Sequence, residues 1–116
     1  MIDALRAAGF SGIEAEGAVI HARLWASSVE FTATEEGGLW RLALQWPLRA
    51  SADQRATWTA AHPMAPMDIH LGETRVSFLA EEGDAAALAQ WAALAEEAVA
   101  QMIRWRRAQR IPGEGM

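Results

Sequence analysis

The residues with the most distinctive chemistry lie in the stretch His62-Pro63-Met64-Ala65-Pro66-Met67-Asp68-Ile69-His70. Two imidazoles and two thioethers this close together are soft donors of the kind copper(I) favours. Strand alternation argues against ligation, because it sends Met67 and His70 to opposite faces. The plainer reading is a proline-bracketed loop whose methionines plug the edge of the core. His21 could act as a base with Glu14 or Glu30 on a neighbouring strand, but a lone strand histidine reads equally well as a surface or half-buried structural residue. The pairs Glu35-Glu36, Glu81-Glu82 and Glu96-Glu97 fall in loops or on a helix flank and read as solvated charges. Cysteine and lysine are absent from the chain. That removes a thiolate nucleophile, a cysteine zinc site and Schiff-base chemistry. No glycine-rich phosphate loop, nucleophile elbow or zincin motif is present. The sequence therefore nominates no catalytic, cofactor or metal residues, and leaves open whether the chain is an enzyme.

Tryptophan is the second signal, with six in 116 residues. Trp40, Trp46, Trp58 and Trp91 are expected in the core, where each indole N–H needs a partner. Trp25 and Trp105 sit at the ends of their elements, where one small domain has little to cover them with. Aromatics of that kind mark interfaces. Trp25, Trp105, Arg106 and Met102 are the candidate interface residues. Arg104, Arg106, Arg107 and Arg110 crowd one end of the same segment, compensating a helix dipole or meeting an acidic partner.

These residues must be positioned by periodic elements. From Asp84 to about Arg107, Leu88, Trp91, Leu94, Ala95, Ala98, Val99, Met102 and Trp105 recur at the three-and-four spacing of a wide helical stripe. Asp84 suits the N-cap, and Ile111-Pro112-Gly113 is the expected stop. Roughly 24 residues would span about 36 Å, so the last turns are expected to overhang a sheet. The alanines of this segment permit close approach of a neighbouring backbone. Val29, Phe31 and Ala33, then Trp40, Leu42, Leu44 and Trp46, alternate with polar residues about a Glu35–Gly38 loop. That is the period of a hairpin with one apolar face. Met67, Ile69 and Leu71, then Val76, Phe78 and Ala80, repeat the pattern about a Gly72-Glu73 turn. Ser51 and Gln54 form a capping box for a short helix through Trp58. Ile2 to Ala8 predicts two helical turns ending at Gly9. The stretches from Ile13 and from Ala18 to Trp25 look extended about a Glu16-Gly17 turn.

The order expected is α-βββ-α-ββ-α, an α+β domain of two layers. Its antiparallel sheet has about five strands, with helices on one face. Residues 1–109 form the single domain and 110–116 a flexible tail. A net charge of −5 argues against nucleic acid as a partner. The N-terminus has no secretory pattern and no window is apolar enough to span a membrane, so a cytoplasmic location is expected.

Leu5-Arg6-Ala7-Ala8-Gly9-Phe10, the Phe31/Trp40 hairpin, the Ser51 helix, the Met67–Ala80 hairpin and the closing helix together resemble the type III secretion chaperone-like fold. That fold includes the YbjN-type bacterial sensory-transduction regulator domains. The resemblance covers nearly the whole chain and rests on element order. It implies a small homodimer, without catalytic residues or cofactors, that binds extended protein segments. The function expected is thus a non-enzymatic protein-binding or chaperone-like homodimer. The alternative is a small-ligand binder or enzyme with an apolar sheet–helix pocket lined by Trp40, Leu42 and Trp91.

Overall fold

The computed structural model describes the backbone of residues 1–114 and the side chains of residues 1–108. The chain runs α1 (Ile2–Ala7), β1 (Ser11–Glu16), β2 (Val19–Arg23), β3 (Glu30–Glu36), β4 (Leu39–Trp46), α2 (Ala52–Ala61), β5 (Met67–His70), β6 (Glu73–Ala80) and α3 (Ala85–Glu114). The α+β class and element order agree with the sequence reading. The sheet has six strands rather than about five, in the order β1-β2-β3-β4-β6-β5, and every pairing is antiparallel. The sixth is β1, the extended stretch about Ile13, in which only Ile13 is even partly covered.

The first four strands form a meander. α2 then carries the chain to the far edge, where β5 is laid down. β6 returns between β5 and β4. Register follows the alternation: Ala33 lies opposite Leu42, Leu42 opposite Phe78 and Leu44 opposite Val76. These residues share the inner face with Ile20, Ala22 and Phe31, and all are buried. α3 covers that face with Leu88, Trp91, Ala95, Ala98, Val99 and Met102. A one-residue slip in any inner strand would turn its apolar set outward.

Local chemistry sets the joins. Gly9 takes φ +92°, and Phe10 N–H reaches back to the Leu5 carbonyl at 3.2 Å, closing α1 with buried Phe10 behind it. The Ser51–Gln54 capping box forms in both directions. Buried Thr74 donates its hydroxyl to the Leu48 carbonyl at 2.6 Å and accepts the Ala50 N–H at 2.9 Å. The link from β4 to α2 is thus fastened to β6.

Two turns differ from expectation. The β5–β6 turn is Leu71-Gly72, one residue early, with φ of 53° and 81°. The tight twist of the hairpin requires positive φ at both central positions, and exposed Leu71 adopts it. The β1–β2 turn falls at Gly17-Ala18, between paired Glu16 and Val19. α3 continues to Glu114, past the stop expected at Ile111-Pro112-Gly113. The tail assigned to 110–116 lies outside the residues whose side chains are described.

Candidate functional site

Each tryptophan can now be placed. Trp91 is fully buried, edge-on to Phe31 at 5.7 Å and tilted against Phe78 at 6.2 Å. Trp58 is buried and its indole donates to the Ala65 carbonyl at 2.7 Å. Trp40 and Trp46 are partly buried against the same core. The partner expected for every buried indole is missing in two cases: Trp40 Nε1 and Trp91 Nε1 have none among the described residues. The sheet–helix seam expected as a pocket is filled, with Leu42 and Trp91 both at 0% exposure.

The four nominated interface residues separate. Met102 is only 2% exposed and belongs to the core; its place on the apolar stripe of α3 decides this, and it reaches the surface only at the floor of a hollow. Trp105 is half covered by its own core. Arg106 is exposed. Trp25 is 52% exposed, two residues after the end of β2, and it organises one of the described surfaces where apolar groups converge without a cover; Met64 and Leu79 mark another, on the β6 side of α3.

That surface is built as follows. Trp25 stacks on Phe10, with ring centroids 5.5 Å apart and planes at 22°. It lies over Gly9 so closely that a Cβ there would stand 3.3 Å from the indole nitrogen. The loop after Trp25 is bolted to α3, where the Glu96 carboxylate accepts the N–H groups of Ala26 and Ser27, the latter at 3.2 Å. Arg23 adds a hydrogen bond to the Ser28 carbonyl at 2.9 Å. The indole is therefore held, not loose. Beside it opens a hollow of about 220 Å³ lined by Ala4, Ala7, Ala8, Gly83, Ala85 and Ala89, with Trp25 as one wall. Its lining other than the indole is alanine and glycine, so the space exists because side chains stop at a methyl group. A second hollow of about 320 Å³ lies across the loop, lined by Val29, Trp46, Val99, Met102, Ile103 and Arg106.

Glu96 was missed by the sequence reading, which placed Glu96-Glu97 among solvated charges. Its partners are some seventy residues away in the chain, and no local pattern announces them. Glu97 lies 3.4 Å from His62 Nε2.

The other chemical candidates are dispersed. Met67 is buried, Met64 is 59% exposed, and His62 packs on Trp58 at 4.0 Å between ring centroids. The soft donors of that stretch therefore occupy different environments. Among the described residues no three histidine or acidic side chains gather as a metal site. His21 sits on the outer sheet face with Nδ1 3.1 Å from Glu30 and Nε2 3.6 Å from Glu16. Glu14, the other expected partner, is opposite it in register. On the same face Arg75 grips Asp68 with two hydrogen bonds, of 3.0 and 2.7 Å. The guanidinium holds the Asp68 carboxyl below its ordinary range, and Asp68 raises Arg75 in turn. No described helix is long and apolar enough to cross a membrane.

Compared with family models, with curated proteins and with solved structures, the chain has no significant match.

Proposed function

We propose that this chain is a protein-binding module that acts as a homodimer in a chaperone-like role. The observation that carries the reading is Trp25, half exposed yet held by a stack, a glycine and a bolted loop beside an unfilled apolar hollow. Ordering an aromatic side chain at the moment of binding costs free energy. An indole already fixed in place avoids that cost, which is why rigid aromatics dominate binding energy at interfaces. The same group left in water throughout would expose apolar area to no purpose. The likeness in element order to the type III secretion chaperone-like fold supports a paired, segment-binding role, and an acidic chain fits a protein partner better than a nucleic acid. The filled seam around Leu42 and Trp91 weighs against the competing small-ligand pocket.

Sedimentation velocity on the whole chain at micromolar concentration tests the reading. Twice the mass of one chain is expected; a clean single-chain species would contradict it.

A further inference from the structure

The two hollows lie along one flank of α3 and are separated by the Trp25–Ser28 loop. At 100° per residue, Ala85, Ala89, Glu96, Ile103 and Arg107 fall within about 40° of one line down the helix. Each hollow has a large exposed apolar group at its rim: Trp25 at 52% for the first and Ile103 at 45% for the second. Ala89 and Ile103 stand at equal distances on either side of Glu96, as do Ala85 and Arg107. This spacing lets the flank meet a copy of itself under a two-fold rotation, which requires that if one residue meets another, the second also meets the first.

Charge points the same way. The α1 end of the molecule carries Asp3, Glu81, Glu82 and Asp84, all exposed; Glu81 and Asp84 stand at the start of α3 and also border the hollow on its other side. Their cationic neighbours are few: the Met1 amino group, 2.8 Å from Glu82, and Arg6, 3.5 Å from Asp3. The other end carries Arg104, Arg106 and Arg107, all exposed, with no carboxylate in contact among the described residues. Such a chain repels a parallel copy and attracts an antiparallel one.

Resting on the homodimer reading above, we infer that a second copy of this chain docks across this flank with its α3 antiparallel. The two-fold axis passes beside the Ser27–Glu96 contact. Ile103 of each copy enters the alanine hollow beside Trp25 of the other, and Trp25 covers the hollow that holds Ile103. Arg104 and Arg107 of each copy face Asp84 and Glu81 of the other. Residues near the axis are small, Ala26, Ser27 and Ser28, so the loops can meet. The Glu96 carboxylate is turned onto the Ala26 and Ser27 N–H groups of its own loop, whose dipoles stabilise its charge.

The absence of cysteine allows a direct test. Ala85→Cys and Ala108→Cys are made in separate full-length chains, both at exposed alanines, Ala85 at the outer end of the alanine hollow and Ala108 past Arg107. In the antiparallel pair these positions lie at nearly the same height. Each lies roughly 30 Å or more along the axis from its own counterpart. A flexible bis-maleimide is expected to join Ala85→Cys to Ala108→Cys in a mixture, and to join neither variant to itself. Reversing charge with Arg107→Glu is expected to weaken pairing by about tenfold, with an unchanged thermal midpoint measured on the dilute single chain. Pairing without the mixed cross-link, or with either variant linked to its own kind, overturns this arrangement and leaves the homodimer reading standing. A single-chain species at every concentration overturns both.

Discussion

Trp91, on α3, and Trp25, beside it, do opposite things. Trp91 projects from α3 into the sheet between Phe31 and Phe78, at 0% exposure, and carries an N–H with no partner among the described residues. Trp25 stands at the side of α3, half in water, and its ring has one aromatic neighbour, Phe10. The first tolerates a polar cost for the sake of packing; the second exposes apolar area although the chain has fixed it with care. Burial under the helix explains why this sequence folds. It does not explain why the β2–β3 loop is fastened to Glu96. The flank is where the molecule spends order that its own core does not need.

That contrast can be broken most sharply by truncation. Trp91→Ala is expected to cost about 3–5 kcal/mol of stability, read from urea unfolding. Trp25→Ala is expected to cost about 1–2 kcal/mol and to abolish self-association. Equal losses of stability would erase the distinction. Next in size, Gly9→Ala forces a side chain into the left-handed region at φ +92° and against the indole nitrogen. A loss of about 1–2 kcal/mol is expected, with a shift in tryptophan emission as Trp25 moves; unchanged emission would mean Gly9 serves α1 alone.

Two smaller effects, on the opposite edge of the sheet, sharpen the comparison as controls. The Asp68 carboxyl is held low chiefly by its hydrogen bonds to Arg75. Because the folded value lies below the unfolded one, the pair stabilises the protein above the ordinary value of 3.8, and the benefit is lost as pH falls through the depressed value. The pair is part exposed, so Arg75→Met is expected to remove under about 1 kcal/mol at neutral pH and to flatten this acid dependence. A variant with the same acid profile as the parent would assign the loss to other carboxylates. Leu71 holds φ 53° while 86% exposed. Leu71→Asn, which accepts that conformation more readily, is expected to raise stability by about 0.5 kcal/mol. Neither change is expected to alter self-association, which sedimentation would show.

Much of the architecture was legible because its determinants are periodic or local. Phe31/Ala33 and Leu42/Leu44 announce their face by alternation, Ser51 and Gln54 announce a helix start, and Leu88 to Met102 announce a covered stripe. β1 was faint because Gly12 and its bulge next to Glu14 interrupt the alternation. Leu71 was misplaced because a leucine is a poor candidate for positive φ, and only the hairpin twist selects it. The candidate surface was half legible. Trp25 stood out by its position at the end of a strand, whereas Met102 belongs to the buried stripe of α3 and is 2% exposed. Glu96 could not be found, since its partners on the Ala26-Ser27 backbone are set by the fold alone. The alanines of α1 and α3 showed a capacity for close approach, but not that they would line one hollow.

The account's central claim is that Trp25 serves association and not folding. Sedimentation equilibrium on the Trp25→Ala chain, beside its circular dichroism, tests it most directly. A folded single-chain species, where the parent sediments as a pair, is the result predicted. A folded variant that keeps the mass of the pair would contradict it.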